Sequence, residues 1–277
     1  IPGDPARQVA GPQATKEDVE LVREQLGLNK PLPQQYVSYV TGLVRGDLGT
    51  SLRTKRPVLT EVQGRYMNTV QLTLLSLTWS VIAGVLIGVW SGRNRSKWQD
   101  YTGMTVAVSG ISMPSFWIGF MLIMVFAVKY RLLPTTGAGS FKNLILPSIT
   151  LGVSIAAIIA RFTRSSVIEV MKEDYVRTAR AKGLREKTVI WKHVFRNCMI
   201  SVVTVVGLQF GFLLGGSVVT ETVFAFPGLG SLLIESVNYR DYPAIQSLIL
   251  IFSLHFVLIN LVVDVLYAVL NPEIQLS

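Results

Sequence analysis

The chain has 277 residues, of which 50% are hydrophobic and 16% are charged, and its mean hydropathy is +0.45. A soluble domain carries nearer a quarter charged residues, so this composition excludes an ordinary globular protein. The formal charge of +9 is concentrated in loops between apolar stretches, which argues against nucleic acid as a partner. The single cysteine, Cys198, excludes an internal disulfide and a multi-cysteine metal site.

The first 66 residues mix basic and acidic side chains and are soluble in character. Thr15 followed by Asp18 resembles a capping box, which predicts a short helix that Gly27 can end. A second short helix is predicted from Gln34 to Val44. We therefore expect residues 1–66 to form a segment outside the membrane.

Five apolar stretches then follow, each long enough to cross about 30 Å of hydrocarbon as a helix. They cover residues 69–91, 104–128, 144–162, 199–220 and 245–270. Pro114 lies in the middle of the second stretch and should bend that helix. The pattern predicts an all-α polytopic membrane protein whose domain of residues 67–277 is one transmembrane unit.

The distribution of lysine and arginine predicts the orientation of these spans. Loop 163–198 carries nine basic residues and loop 92–103 carries three, whereas loop 129–143 carries Lys129, Arg131 and Lys142, and loop 221–244 has only Arg240. The first two loops are therefore predicted to be cytoplasmic, and residues 1–66 extracytoplasmic. An external segment needs a tether, so we expect a sixth transmembrane helix before Ile1 in the full protein.

Glycines recur every four residues within two of the spans. Gly84 and Gly88 lie on the first, and Gly207, Gly211 and Gly215 on the fourth. Such ridges let helices approach closely in lipid, so we predict that these glycines pack against neighbouring helices.

Loop 163–198 has the features of a docking surface. Acidic residues open its first half and basic residues follow, as the helix dipole favours, and Gly183 is placed to end that helix. Its small residues leave a narrow helical surface that a cleft of another protein could accept. A solvated basic loop beside anionic lipid is the alternative interpretation. The candidate docking residues are Glu173, Asp174, Tyr175, Arg177, Thr178, Ala179, Arg180, Ala181, Lys182 and Gly183.

The segment Asp174–Gly183, with His193 and Arg196-Asn197 after it, resembles the coupling loop of binding-protein-dependent ABC importer permeases. The similarity is to the dipeptide, oligopeptide, nickel and glutathione group, and it extends to Ile1–Ala6, Gly46–Gly49, Phe224–Gly230 and Arg240–Pro243. Within the fourth span, Gly207–Gly216 is most similar to the glutathione permeases.

This resemblance implies a type I ABC importer permease fold and a set of partners. The partners would be a second homologous permease, two ATPase subunits that dock on the coupling loop, and an extracytoplasmic substrate-binding protein. The chain itself would bind no cofactor, and ATP and Mg²⁺ would be held by the ATPases. Residues implied at the external gate or in contact with the binding protein are Phe226, Pro227, Gly228, Leu229 and Gly230.

The predicted function is thus half of the translocation path for a dipeptide, oligopeptide or glutathione in a bacterial inner membrane. The alternatives are a nickel or metal-chelate importer permease and, from other classes, a secondary transporter, a channel or an intramembrane enzyme. The sequence has no Gly-x-x-x-x-Gly-Lys-[Ser/Thr] phosphate loop, which argues against ATP hydrolysis by this chain. Polar residues within the spans are few, and none is assigned to substrate: Ser112, Ser115, Gln209, His255, Asn260 and Asp264.

Overall fold

The computed structural model describes residues 4–11 and 13–270, so the motif residues 1–3 and the tail at 271–277 lie outside the described residues. Over the described residues the fold is all-α, with one isolated bridge between Thr50 and Pro57. The helices are α1 (Pro5–Ala10), α2 (Lys16–Gln25), α3 (Leu32–Val44), α4 (Val58–Arg93), α5 (Trp98–Ser112), α6 (Ser115–Leu122), α7 (Phe141–Val170), α8 (Asp174–Ala181), α9 (Glu186–Thr188), α10 (Phe195–Val223), α11 (Leu229–Asn238) and α12 (Tyr242–Leu270). Wider π-helical turns follow α6 at Ile123–Lys129 and precede α10 at Val189–Val194.

Three of these helices, α4, α7 and α12, are long and apolar enough to cross a membrane. Two bent pairs raise the number to five in the described residues if each pair is one span. One pair joins α5 to residues 115–129 at 102°, and the other joins residues 186–199 to 202–213 at 49°. This arrangement agrees with the five predicted stretches.

The sharp bend lies at Met113 and Pro114, as predicted. α5 ends at Ser112 and α6 begins at Ser115, because proline has no N–H to continue the helical hydrogen bonds and restricts the residue before it. The second predicted span is therefore a broken helix.

Two helices extend beyond the apolar stretches that were predicted to cross the membrane. α4 begins at Val58 rather than near residue 69, and α7 ends at Val170 rather than near residue 162. A helix of 30 residues is about 45 Å long, so these helices continue past the apolar stretch from which the boundaries were predicted.

The chain consists of two compact units, each formed by two segments of the sequence. The first unit is Ile1–Arg65 together with Leu232–Ile251. In this unit Asp241 is buried and accepts hydrogen bonds from Ser51 Oγ at 2.5 Å and Leu52 N at 3.0 Å. Ser247 Oγ donates to the carbonyl of Leu48 at 2.8 Å. The segment before α4 therefore folds together with residues that the sequence had assigned to a loop and to the last span.

Both short helices predicted near the start of the chain are present. The capping box at α2 is complete, because Thr15 Oγ1 accepts from Asp18 N at 3.2 Å and Asp18 Oδ2 accepts from Thr15 N at 2.9 Å. Gly27 follows with a φ of +67°, which suits its predicted role in ending the helix. α11, in contrast, was not predicted.

The second unit is Tyr66–Ser231 with Phe252–Ser277. Its core lies between α4, α7 and α10, where Leu72, Ile159 and Leu213 are almost completely buried. The same cluster includes Val176 of α8 and Val194. The short helix α8 is thus packed onto the long helices and does not extend freely into solvent.

Candidate functional site

The helix α8 has two different faces. Val176 and Ala179 are buried, with 0% and 5% of their surface exposed, and they pack into the core cluster of the second unit. The opposite face is exposed and consists of positions spaced by three and four residues, which lie above one another on a helix. These exposed residues are Asp174, Arg177, Thr178 and Ala181.

The predicted docking residues are exposed in the structure, with one exception. Glu173, Tyr175, Arg180, Lys182 and Gly183 are exposed, as a docking surface requires. Ala179 is not, because its side chain points into the chain's own core. Its small size serves the packing of α8, and the narrow exposed surface comes instead from Thr178 and Ala181.

Gly183 ends α8 as predicted. Its φ is +74°, and its N–H donates to the carbonyl of Arg180 at 2.9 Å while Leu184 N donates to Ala179 O at 3.4 Å. This pair of bonds is a Schellman cap, which favours glycine because a left-handed residue with a Cβ is strained.

Side-chain hydrogen bonds at two places connect α8 to the residues that follow it. Arg180 donates two hydrogen bonds to the Glu186 carboxylate, at 2.8 and 3.2 Å. The hydrogen bond with Arg180 lowers the pKa of Glu186 below its usual value, and the same bond raises that of Arg180. On the other side, Asn197 Nδ2 donates to Tyr175 Oη at 2.9 Å. Residues 174–197 therefore form one continuous surface.

A second candidate site lies where α10 ends. Glu221 is completely buried, and its carboxylate accepts from Thr69 Oγ1 at 2.7 Å and from the backbone N–H of Ser231 at 3.0 Å. Thr69 Oγ1 in turn accepts from Leu229 N at 2.8 Å. Nearby, Asn68 Nδ2 donates to the carbonyl of Pro227 at 2.8 Å. The loop after α10 is thus wrapped around one carboxylate and fixed to α4.

The glycines of this loop are explained by close contacts with Glu221 and with the backbone of α10. A Cβ on Gly228 would lie 2.3 Å from Glu221 Cδ, and a Cβ on Gly230 would lie 2.5 Å from Val218 Cα. Such distances are well inside van der Waals contact, so only glycine fits at either position.

Burial leaves little of Phe226–Gly230 free to contact a binding protein, whereas their predicted role at an external gate stays a prediction. Phe226, Gly228, Leu229 and Gly230 are buried within this chain, and only Pro227 is partly exposed. Glu221 was missed by sequence reasoning. An ionisable residue at the end of an apolar stretch was the available signal.

Comparison with known proteins identifies the family. Residues 84–276 match the "Binding-protein-dependent transport system inner membrane component" family, and residues 1–73 match the N-terminal family of such membrane components. This chain belongs to the binding-protein-dependent transport system inner membrane component family.

Curated relatives of this permease include the glutathione transport system permease protein GsiC of Escherichia coli O6:H1. That protein is 56% identical over 275 residues, which cover 99% of this chain and 90% of the relative. GsiC of Salmonella choleraesuis is 54% identical over the same shares. Among solved structures, an inward-facing methionine ABC transporter MetNI matches with a TM-score of 0.67 and 17% identity, covering 76% of this chain and 96% of that one. The structural likeness establishes the shared fold.

As a family member, this permease is a multi-pass protein of the inner membrane and the transport subunit of an ABC importer. Membership implies that ATPase and substrate-binding components work with it. Within residues 4–11 and 13–270, no group of three or more His, Cys, Asp or Glu side chains is placed to hold a metal ion.

The glycines on α4 of the permease lie against α7. A Cβ on Gly84 would be 2.7 Å from the carbonyl oxygen of Ala156, and one on Gly88 would be 2.5 Å from Thr163 Cβ. Gly92, which was not predicted, continues the row toward Val167 at 2.8 Å. The backbone of α4 therefore lies directly against α7 along slightly more than two helical turns.

The glycines on α10 lie against α12 at two of the three predicted positions. A Cβ on Gly207 would lie 2.3 Å from Val263, and one on Gly211 would lie 3.0 Å from Phe256. A Cβ on Gly215 would have no heavy atom of another element within 4 Å among the described residues, so the predicted packing is not found there within this chain. A cavity of about 380 Å³, lined by Gly215 and Phe252 among others, lies at this position.

Two polar pairs complete the second unit. His255 Nε2 and Tyr66 Oη are 2.6 Å apart, so this histidine has a hydrogen-bond partner inside the chain. Arg164 donates from Nε and Nη2 to the two carboxylate oxygens of Asp100 at 2.5 and 2.7 Å. The second pair was not predicted, because Asp100 and Arg164 lie on different helices.

Proposed function

We propose that this permease forms one half of the translocation path of an importer for peptide-like substrates, with glutathione as its substrate. The identity of 56% to a glutathione permease over nearly the whole chain supports this substrate class. A second permease half would complete the path, and an extracytoplasmic binding protein would deliver the substrate.

The observation that carries the proposal is the exposed face of α8. Thr178 and Ala181 make this face narrow, while Asp174 and Arg177 flank it with charges. The buried face, through Val176, joins the core between the long helices. A partner that bound the exposed face could therefore move the transmembrane helices through the buried one.

We assign this face to ATPase docking on the cytoplasmic side, as the basic residues of loop 163–198 predict. The partner ATPases would hold ATP and Mg²⁺, and their closure would drive α8. Two copies of ATPase are expected for two permease halves.

The test is purification of the complex in mild detergent with Thr178→Trp and, separately, Ala181→Trp. A large ring on the narrow face should abolish recovery of the ATPase and glutathione uptake while the permease remains inserted. Thr135→Trp is the matched control, because Thr135 is an exposed threonine in another loop. Normal ATPase recovery with both α8 variants would exclude the docking role.

Substrate class is tested separately with reconstituted complex and its cognate binding protein. We expect ATP-dependent uptake of glutathione. Uptake of a nickel chelate with no uptake of glutathione or dipeptides would contradict the proposed substrate while leaving the docking role intact.

A further inference from the structure

The helix α5 has one packed face and one polar face. On the packed side, Gly103 and Ala107 are buried, and a Cβ on Gly110 would lie 2.8 Å from Val153 of α7. Four exposed residues with hydroxyl groups lie on the opposite side, at spacings of four, four and three: Tyr101, Thr105, Ser109 and Ser112. From the first to the last the helix rises about 16 Å, more than half of the hydrocarbon thickness.

This hydroxyl face borders a cavity of about 480 Å³. The wall also contains Arg164 and Asp100, together with three apolar side chains. The cavity thus has hydroxyl groups along one side and an ion pair at the end where α5 begins.

The guanidinium of Arg164 is held in a fixed position. Asp100, which is 3% exposed, accepts from Arg164 Nε and Nη2 and also from Ser96 N at 3.1 Å. A guanidinium has five N–H groups, so three remain on Nη1 and Nη2, and no acceptor for them is found within the described residues. Their planar geometry matches a carboxylate, which accepts two parallel hydrogen bonds from such a fork.

Water, and not lipid tails, is the medium that suits this face. Ser109 Oγ and Ser112 Oγ each donate to a backbone carbonyl of α5, at 2.8 and 3.0 Å, and so retain lone pairs that accept from solvent or solute. Lipid tails offer no hydrogen bonds, and a charged side chain among them is costly.

We propose that the hydroxyl face of α5 lines the substrate path and that Arg164 binds a carboxylate of the passing substrate, with Asp100 as its positioning residue. The peptide nature of this substrate rests on the proposed function. The anion preference of the site rests on the cavity and the ion pair alone.

Thiol labelling of the intact complex in phosphatidylcholine nanodiscs tests both parts. Cys198, the single native cysteine of the chain, is buried, so Thr105→Cys reports on the cavity. Val106→Cys is the matched control, because Val106 is the next residue along α5, is exposed and does not line the cavity. We expect hydrophilic methanethiosulfonates to modify Thr105→Cys and to leave Val106→Cys unmodified.

Charge selectivity then identifies the anion site. We expect the anionic sulfonatoethyl reagent to modify Thr105→Cys about fivefold faster, relative to the cationic trimethylammonioethyl reagent, with Arg164 present than in Arg164→Gln. Arg161→Gln, one turn earlier on α7, should leave the ratio unchanged. If Arg164→Gln does not insert, because it leaves Asp100 buried without its partner, the double variant Arg164→Gln/Asp100→Asn replaces it.

S-Methylglutathione, which keeps the carboxylates of glutathione and has no thiol to react with the reagents, should slow the labelling when Arg164 is present and have no effect in Arg164→Gln. The proposal is overturned if neither reagent reacts at Thr105→Cys, if the ratio of the two rates is the same in Arg164→Gln, or if the selectivity disappears on adding phosphatidylglycerol, which would assign the site to a lipid phosphate. It is also overturned if a complex that imports glutathione shows no protection. A complex that imports no glutathione contradicts the proposed function, and the selectivity ratio still decides the anion site.

Discussion

Gly228 lies so close to Glu221 that a Cβ on the glycine would stand 2.3 Å from the carboxyl carbon. The φ of Gly228 is not positive, so backbone conformation does not require glycine there. Contact with the buried carboxylate does. The Phe226–Gly230 motif is therefore a cover for Glu221, and its residues depend on that one side chain.

Replacing Gly228 with alanine tests this contact. The added methyl has to displace a buried carboxylate that is hydrogen bonded on both oxygens, so we expect Gly228→Ala to lower the free energy of unfolding by about 1–3 kcal/mol. The control is Gly64→Ala, since Gly64 is exposed in α4 and has no atom of the described residues within 4 Å of its Cβ position. Thermal unfolding in detergent compares the two. A Gly228→Ala protein as stable as Gly64→Ala would show that the loop readily moves away.

Replacing Glu221 with glutamine exchanges one of the two acceptor oxygens of the side chain for an NH₂ group, which cannot accept a hydrogen bond. Thr69 Oγ1 and Ser231 N both donate to the carboxylate, whereas an amide accepts at only one of its two ends. A buried donor is then left unsatisfied, which costs about 1–3 kcal/mol. We expect Glu221→Gln to lower the unfolding temperature and Glu169→Gln, at an exposed position, to leave it unchanged. Equal temperatures for the two variants would contradict the proposed importance of the network.

Neighbouring alanines in α8 should respond differently to the same change. Ala179→Leu forces three extra carbons into the core and should destabilise the fold by about 1–3 kcal/mol. Ala181→Leu lies on the exposed face and should leave unfolding unchanged while weakening ATPase binding. Differential scanning calorimetry together with ATPase pull-down separates the effects. Destabilisation by Ala181→Leu alone would mean that the two faces of α8 are assigned the wrong way round.

The Arg180–Glu186 pair makes the loop sensitive to acid. Because the hydrogen bond to Arg180 lowers the pKa of Glu186 in the folded state, the pair stabilises the loop at pH values above the unfolded glutamate pKa of about 4.3. This stabilisation is lost as the pH falls through the lower folded pKa. Side chains exposed by 37% and 44% limit the contribution to about 0.5–1 kcal/mol.

Hydrogen exchange of residues 180–188 between pH 6 and pH 3 measures this contribution. After correction for intrinsic exchange, wild type should lose protection on acidification, and Glu186→Gln should show low protection throughout. A wild-type profile parallel to that of Glu186→Gln would exclude a contribution from the pair.

Gly88 lies at a close contact between two helices, whereas Gly215 does not, so the same substitution should affect the two positions differently. Gly88→Ala places a methyl 2.5 Å from Thr163 Cβ and should prevent stable insertion or lower stability strongly. Gly215→Ala should be neutral or stabilising by up to about 1 kcal/mol, because alanine favours a helix more than glycine does. Protease resistance in membranes reports both variants. Equal loss of resistance in both would mean that α10 and α12 also approach closely at Gly215.

Features that depend on local sequence were predictable. The capping box at Thr15, the bend at Pro114 and the helix end at Gly183 follow from backbone rules that act within a few residues. The number of apolar stretches followed from hydrophobicity alone.

Features that depend on which helix faces which were not predictable from one sequence. The burial of Ala179 requires the partner residues of the core, and Glu221 acquires its role from Thr69 and Ser231, which are distant in sequence. The pairing of Asp100 with Arg164 depends in the same way on the packing of α5 beside α7. The small residues of α8 were recognised correctly as special, but their two different roles could be separated only once their faces were known.

The row of Gly84, Gly88 and Gly92 has a mechanical consequence. At these glycines no α4 side chain separates the two helices, and α4 lies directly against α7, so we expect the two helices to move together. Val176 of α8 belongs to the same hydrophobic core as these helices. We therefore expect a displacement of α8 to reach α4 and α7 together, and the 102° bend at Pro114 is a point at which the neighbouring helices α5 and α6 can change their relative direction.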